Sequence, residues 1–206
     1  MRLDAPDSLT TRPVMDRVKE ALFNFLRATN RIEGKRYLDV FSGVGSFGLE
    51  ALSRGASECL FVENDRAVLE YLDRNIDHTR LGANAVIRRS DVLLAFEAFK
   101  RDGQRFDVII LDPPFPMANA WLDALSQPAE TLANRDRQVN AASKKIAAIV
   151  SLAFEIVEPQ GMIILRVETR PAIALVPPAG FSLESRRYGR STLLIIEGNR
   201  SMSASV

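Results

Sequence analysis

Apolar residues recur along the chain at two different spacings, and segments of the two kinds alternate. In residues 13–28 they lie three or four positions apart, which predicts an amphipathic helix. Short apolar runs at 37–41, 58–62 and 106–111, bounded by glycine, acidic or proline residues, predict buried strands. Further strands are predicted at 85–89, 162–167, 182–188 and 192–197, and further helices at 46–54, 65–80, 91–100 and over most of 119–157.

The alternation of strands and helices predicts an α/β, Rossmann-like fold. Its seven-stranded sheet is expected to be mostly parallel, with helices on both faces. The last two strands flank Gly189-Arg190, so we expect an antiparallel C-terminal hairpin. Ligands bind such sheets at the carboxyl ends of the strands, where the strand order reverses. Functional residues are therefore expected directly after strands.

Composition narrows the class of protein. The 206 residues carry a formal net charge of +1, which excludes a uniformly basic nucleic-acid binder. The single cysteine, Cys59, and the single histidine, His78, exclude a disulfide and the usual zinc clusters, and we expect no metal. No apolar run approaches the roughly 18 residues that span a bilayer, and the N-terminus lacks a signal-peptide pattern. We therefore expect a cytoplasmic protein without membrane contact.

The domain organisation is expected to be simple. We expect one domain over residues 13–200, an N-terminal arm over residues 1–12, and a disordered tail over residues 201–206.

Three glycines follow the first predicted strand. Gly43, Gly45 and Gly48 form a G-x-G-x-x-G pattern between a strand and a helix. This pattern fits a dinucleotide pyrophosphate, an adenosyl ligand with an amino-acid tail, or a plain tight turn. Asp39, at the end of the preceding apolar strand, favours the adenosyl ligand because a buried carboxylate suits an ammonium group and repels a pyrophosphate.

Two more acids follow predicted strands. Glu63 lies about 20 residues after the glycines, where an acidic side chain can accept hydrogen bonds from both ribose hydroxyls; it could also be a solvent-facing strand end. Asp91 follows the third strand. It could accept a hydrogen bond from an adenine amino group or cap the next helix, and the two roles are compatible.

The fourth predicted strand ends in the sequence Asp112-Pro113-Pro114-Phe115. Two prolines stiffen this loop and are expected to leave its carbonyls unpaired. Asp112 and the Pro113 carbonyl could then accept both N–H groups of an exocyclic amine while Phe115 stacks on its ring. The alternative is a proline-terminated strand followed by a core phenylalanine.

Together these motifs resemble those of class I S-adenosylmethionine-dependent methyltransferases. Residues 112–115 resemble the [D/N/S]-P-P-[Y/F] signature of enzymes that methylate exocyclic amines. Residues 12–24, RPVMDRVKEALFN, are similar to the R-P-T-x-D-R-V-(R/K)-E-x-L-F-N segment of the RsmD family. Residues 38–56, 61–67 and 106–115 match further motifs of that family, and the resemblance is strongest over residues 5–115.

This resemblance implies methylation of N2 of a guanine in 16S ribosomal RNA. It implies S-adenosyl-L-methionine as cofactor and 16S rRNA or the assembling small subunit as partner, and we expect a monomer. The residues implied are Asp112, Pro113, Pro114 and Phe115 for catalysis, Asp39, Phe41, Gly43, Gly45, Gly48, Glu63, Asn64, Asp91 and Val92 for the cofactor, and Arg12, Asp16 and Arg17 for the substrate.

The chain departs from the family pattern in three places. Members usually begin with a basic hairpin, of which the arm 1–12 resembles a truncated remnant. Val14 replaces the usual threonine, and the segment 126–145 is longer. Other functions stay open: amine methylation of another RNA, DNA or protein, a NAD-dependent oxidoreductase, or a non-catalytic nucleic-acid-binding protein.

Overall fold

The computed structural model describes residues 3–6, 13–125, 137–171 and 175–199. The predicted tail 201–206 and most of the arm 1–12 lie outside these ranges. The helices are α1 (Pro13–Ala28), α2 (Ser46–Ser53), α3 (Arg66–Thr79), α4 (Val92–Arg101), α5 (Phe115–Leu125) and α6 (Arg137–Ile156). The strands are β1 (Arg36–Val40), β2 (Glu58–Glu63), β3 (Ala85–Arg89), β4 (Phe106–Leu111), β5 (Val157–Glu168), β6 (Phe181–Tyr188) and β7 (Ser191–Gly198).

The strands form one sheet in the order β3-β2-β1-β4-β5-β7-β6. Pairing is parallel from β3 to β5, and β7 runs antiparallel to both β5 and β6. This confirms the predicted mostly parallel sheet with its C-terminal antiparallel hairpin. The strand order reverses between β1 and β4, so the loops that follow these two strands diverge and leave a crevice between them.

Helices cover both faces of the sheet and enclose two apolar cores. On one face, α1, α2 and α3 pack on side chains such as Phe61 and Ile110. On the other face, α4, α5 and α6 pack on side chains such as Val62 and Ile109. Because side chains alternate along a strand, each β1 residue belongs to one core. Asp39 therefore shares its face with Tyr37 and points toward the α1–α3 layer.

The predicted elements are confirmed, and two of their bounds differ by more than two residues. Helix α5 begins at Phe115 and not at 119, because Pro116 lies in the first turn, where no backbone N–H is needed. Strand β5 begins at Val157, directly after α6, and its pairing with β4 shifts register between Phe106 and Val108. The predicted break near 127–128 lies outside the described residues.

Within the described ranges, no helix combines the length and the apolar character that crossing a membrane requires.

Candidate active site at the carboxyl edge of the sheet

The glycine loop connects β1 to α2 through three left-handed residues. Phe41 has φ of 58°, Gly43 of 55° and Gly45 of 86°. A phenylalanine in this region costs about 1–2 kcal/mol, so the surrounding structure must hold it there. A Cβ placed on Gly43 would meet no atom within 4 Å. This side of the loop therefore faces open space that a ligand can approach.

The first turn of α2 presents unpaired donors to that space. Among the described residues, no acceptor lies within hydrogen-bond reach of the backbone N–H groups of Ser46 and Phe47. Lys19 of α1 adds a cation, since its Nζ donates to Ser46 Oγ over 3.2 Å. A helix N-terminus beside an ammonium group favours a negatively charged ligand group.

Gly48 is needed for a different reason, which is the close packing of α2 on the sheet. An added Cβ would lie 2.3 Å from Phe61 Cε1 and 2.6 Å from Cys59 Sγ, and both side chains are fully buried. The third glycine therefore sets the distance between α2 and β2, which fixes where the first turn of α2 lies.

We expect Gly48→Ala to lower the free energy of unfolding by about 1–3 kcal/mol, because the added methyl overpacks the helix–sheet contact. Urea unfolding followed by circular dichroism measures this. Gly82→Ala is the matched control, since a Cβ there meets Ile76 Cγ2 at an ordinary 3.6 Å. Equal stability of the two variants would contradict this role of Gly48.

Asp39 is the most unusual residue of the site. Its side chain is 1% exposed, and Oδ2 accepts a hydrogen bond from the backbone N–H of Gly48 over 2.8 Å. Oδ1 is buried without a hydrogen-bond partner among the described residues. Burial raises the pKa of Asp39 well above its usual range, against the Gly48 hydrogen bond, and the nearby Asp112 and Glu63 carboxylates add to the increase. A buried acceptor without a donor indicates a place for a cationic or donor ligand group.

Glu63 ends β2 and connects it to the glycine loop. Its Oε2 accepts from the backbone N–H of Gly43 over 3.0 Å, and Oε1 accepts from those of Asn64 and Asp65 over 2.8 and 2.9 Å. A carboxylate has about four acceptor positions, so Oε2 keeps one for a ligand. The role predicted for Glu63 with a ribose stays a prediction, as does that of the exposed Asn64.

Asp91 caps helix α4, which is one of the two roles predicted for it. Its Oδ1 accepts from the backbone N–H of Leu93 over 2.9 Å, and Oδ2 accepts from Lys145 Nζ over 2.7 Å. The hydrogen bond from Lys145 lowers the pKa of Asp91 below its usual range. Sequence analysis missed Lys145, because α6 is remote in sequence. Val92, also predicted for the cofactor, is buried beside Asp91.

The loop after β4 lies on the other side of the crevice. The backbone N–H of Asp112 donates to Val40 O of β1 over 3.2 Å, so the two predicted motifs are adjacent. Among the described residues, the Pro113 carbonyl has no hydrogen-bond donor. The Pro114 carbonyl was also expected to be unpaired, and this was wrong. It accepts from the N–H groups of Met117 and Ala118, because α5 begins directly after Pro114.

Asp112 is held by a residue that sequence analysis did not select. Arg166 of β5 donates from Nε to Asp112 Oδ1 over 2.5 Å, and these side chains are 14% and 15% exposed. Burial raises the pKa of Asp112 above its usual range, and the Arg166 guanidinium opposes this. A signal was present in the sequence, since Arg166 is the charged residue of the apolar run 162–167. The criterion that selected Asp39 would have selected it too.

Asn75 is a second residue that sequence analysis did not assign to the site. It is buried in α3, and its Nδ2 donates to Val44 O of the glycine loop over 3.0 Å and to Asp4 O over 2.9 Å. Its Oδ1 accepts from the backbone N–H of Asp4 over 2.8 Å. Asn75 therefore ties the segment 3–6 to the glycine loop.

Of the predicted substrate residues, Arg17 is exposed on α1, and no described contact brings it to the site. Arg12 and the side chain of Asp16 lie outside the part of the chain that the structure describes. These three assignments stay predictions. Over the described ranges, no group of three or more histidine, cysteine or acidic residues is placed to hold a metal ion.

Solved structures share this architecture over nearly the whole chain. A hypothetical protein of Thermus thermophilus is 30% identical, with a TM-score of 0.69 over 96% of this chain and 93% of that chain. The protein yhhF of Escherichia coli, described provisionally as a methyltransferase, is 25% identical, with a TM-score of 0.69 over 97% of this chain and 92% of that chain. The fold is that of the class I methyltransferases. The chain belongs to the family described as conserved hypothetical protein 95, whose family model matches residues 1–197.

Curated relatives agree with the resemblance drawn from the motifs. Ribosomal RNA small subunit methyltransferase D of Escherichia coli (strain K12) is 38% identical over 114 residues, which are 55% of this chain and 54% of that protein. YlbH of Bacillus subtilis (strain 168), named provisionally as an rRNA methyltransferase, is 37% identical over 113 residues, 55% of this chain and 60% of that protein. The match thus spans just over half the length of these relatives. The resemblance to the RsmD family is confirmed.

Proposed function

We propose that the chain transfers a methyl group from S-adenosyl-L-methionine to the exocyclic N2 of a guanine in 16S ribosomal RNA. The observation that carries this is the Asp112 backbone hydrogen bond to Val40, which joins the loop after β4 to the strand that leads into the glycine loop, together with Asp39 Oδ1, which has no partner among the described residues. The names of the curated relatives support the ribosomal RNA substrate.

The residues of the glycine loop fit the cofactor. Asp39 Oδ1 offers an acceptor to the cofactor's ammonium group, and the open side of Gly43 leaves room for its close approach. The free N–H groups of Ser46 and Phe47 suit its carboxylate. Glu63 would accept hydrogen bonds from its ribose, and Asp91 would accept one from its adenine. When bound, the cofactor supplies a methyl group on a positively charged sulfur.

The loop after β4 would orient the nucleophile. The N2 lone pair of guanine is delocalised into the ring, and it must be aimed at the methyl carbon for displacement. Asp112 and the Pro113 carbonyl can accept the two N–H bonds, which favours a pyramidal nitrogen and directs its lone pair. After transfer, Asp112 is the acceptor nearest to the proton that the nitrogen must lose.

Phe115 would hold the base outside its stack. Extrusion of a base costs a few kcal/mol, and stacking on an aromatic side chain offsets part of this cost. Phe115 is partly buried at the first position of α5, so its ring is held by the helix and not by a mobile loop.

The alternative function is that of a NAD-dependent oxidoreductase, and the position of Asp39 disfavours it. Its carboxyl group accepts from the Gly48 N–H in the first turn of α2, where a pyrophosphate would bind, and it offers an acceptor where that ligand needs donors. Calorimetry distinguishes the two readings, since we expect S-adenosylhomocysteine to bind and NAD not to bind.

The organisation of the whole protein is part of the proposal. Residues 13–200 would form one methyltransferase domain, with residues 1–12 and 201–206 outside it, acting as a monomer in the cytoplasm. Its partner would be 16S rRNA or the assembling small subunit.

Transfer of tritiated methyl groups to under-methylated 30S particles and to naked 16S RNA tests the proposal. We expect N2-methylguanosine as the labelled nucleoside in at least one of the two substrates. Label on an adenine or cytosine amine would replace guanine as the target. Absence of transfer to both, with S-adenosylhomocysteine bound, would favour a non-catalytic binding protein.

A further inference from the structure

Arg166 makes three contacts from one planar group. Its Nε donates to Asp112 Oδ1 over 2.5 Å, its Cζ lies 4.6 Å from the centroid of the Phe115 ring, and its Nη1 donates to Ser191 Oγ over 3.3 Å. The first two partners are the carboxylate and the aromatic face that the proposed reaction needs for the target base. The guanidinium thus occupies both.

The chemistry of this occupant resembles that of guanine. A guanidinium is a flat carbon bonded to three nitrogens, with N–H donors that match a carboxylate. Guanine contains a similar unit, because its C2 is bonded to N1, N2 and N3, and N1 and N2 present N–H donors in one plane on the Watson–Crick edge. Adenine and cytosine lack this unit, since each presents a single amine beside an unprotonated ring nitrogen.

We propose that Arg166 is an internal stand-in for the target base, which it holds off Asp112 and Phe115 until a guanine displaces it. This inference rests on the proposed function and deepens it, because it makes Arg166 a residue that selects guanine. The ion pair that closes the site opens only for a base that can replace the Nε donor at Asp112 and the planar group on Phe115. An adenine cannot present two parallel N–H donors to Asp112, so it displaces Arg166 less well.

When a base displaces it, the Arg166 side chain can move toward the edge of the sheet near Ser191. Ser191 lies at the start of β7, and the β6–β7 turn beyond it reaches the same edge of the sheet as the loop after β4. Released toward this edge, the guanidinium keeps the Ser191 hydroxyl within reach and becomes available to an RNA phosphate, which an arginine binds well.

The competing role of Arg166 is to position Asp112 throughout the reaction. The two roles predict opposite kinetics. In the proposed role, which we call the latch, Arg166 closes the site and reduces the fraction of protein competent to bind RNA. Its removal therefore lowers KM for the RNA. A positioning residue that acts in the transition state lowers kcat when it is removed, with KM unchanged.

Arg166→Met separates the two roles, because methionine keeps much of the stem and removes the planar cation. We expect KM for the RNA to fall about three- to tenfold with kcat maintained. The assay is run at pH 7 and pH 8.5, since loss of the guanidinium raises the pKa of Asp112 further. Arg101→Met removes an equal charge from an exposed pair with Asp102 and should leave both constants unchanged. A lower kcat at both pH values without a fall in KM would overturn the latch.

Binding to the vacated site gives a readout that needs no methyl transfer. In Arg166→Met, methylguanidinium should raise the melting temperature, and in wild-type protein it should not. With S-adenosylhomocysteine present, guanosine monophosphate and adenosine monophosphate should both bind the variant more tightly than wild-type protein, and the preference for guanosine monophosphate should be smaller than in wild type. If Arg166→Met does not fold, Ser191→Ala, which removes one anchor, should show the same changes more weakly.

These outcomes distinguish the latch from the proposed function. Binding of methylguanidinium without any methylation of ribosomal RNA would keep the latch and reject the substrate. Methylation of guanine with no binding of methylguanidinium or guanosine monophosphate to the variants would keep the function and reject the latch.

Discussion

Asp112→Ala should reduce methyl transfer by a factor of about a hundred or more and leave the affinity for S-adenosylhomocysteine nearly unchanged. The expected loss is large because Asp112 orients the nitrogen lone pair, and misorientation of a nucleophile by a small distance costs about this factor. The cofactor should still bind, since the hydrogen bond that Asp112 makes to Val40 of β1 comes from its backbone N–H, which alanine keeps. Single-turnover transfer of labelled methyl groups measures the first quantity and calorimetry the second.

The loss of methyl transfer expected in Asp112→Ala needs two controls. Asp107→Asn changes an acid at the opposite end of the same strand, where the carboxylate accepts from Lys35 Nζ and the Arg36 backbone N–H, and it should not affect transfer. Asp112→Ala also leaves the Arg166 charge unpaired, which should cost about 1–3 kcal/mol of stability, so rates are compared at a temperature where both proteins are folded. Full activity of folded Asp112→Ala would reject the mechanism.

Asp39→Asn should have two large effects of opposite kind. The affinity for S-adenosylhomocysteine should fall about a hundredfold, because the neutral amide no longer pairs with the ligand's ammonium group, while a buried pair of opposite charges is worth several kcal/mol. The free energy of unfolding of the ligand-free protein should rise by about 1 kcal/mol, because the variant removes a buried carboxylate whose Oδ1 lacks a partner.

The raised pKa of Asp39 also predicts how affinity depends on pH. In the free protein burial favours the protonated form, whereas the ligand's ammonium group favours the carboxylate, so binding releases a proton. Affinity should therefore increase with pH up to the raised pKa of the free protein. The slope should vanish in Asp39→Asn and persist in Asp73→Asn, which changes an acid of α3 that is 48% exposed.

Calorimetry of S-adenosylhomocysteine binding in buffers of different ionisation enthalpy measures how many protons binding releases. A wild-type protein that binds S-adenosylhomocysteine with no proton release, or a variant that binds as tightly as wild type, would contradict the role of Asp39. Unchanged stability of Asp39→Asn would contradict the claim that this carboxylate destabilises the free protein.

The elements of the fold could be predicted from the sequence because their cause is local. Apolar spacing distinguishes helix from strand, and the glycines and prolines mark where each element ends. The bounds near Phe115 and Val157 were less accurate, because a helix that starts directly after two prolines and a strand that follows a helix without a loop leave no turn signal. The candidate residues after the strands were found for the same local reason.

The partners of those residues could not be predicted, because they are remote in sequence. Asp112 meets Arg166 across 54 positions, and Asp91 meets Lys145 across the same separation. Asn75 meets Asp4 across 71 positions. A pattern of spacing carries no information about such pairs unless the topology of the sheet is known.

The sequence by itself determined the class of fold, and it determined which acids and glycines follow the strands at the edge of the sheet where we propose that the cofactor binds. It did so because strand ends, tight turns and buried charges each leave a local mark on the choice of residue. The tertiary structure alone decided that Asp39 has one oxygen without a partner among the described residues, while Arg166 covers Asp112 and Phe115. Those states depend on which side chains the packing of seven strands brings within a few ångströms, and that is a property of the whole sheet.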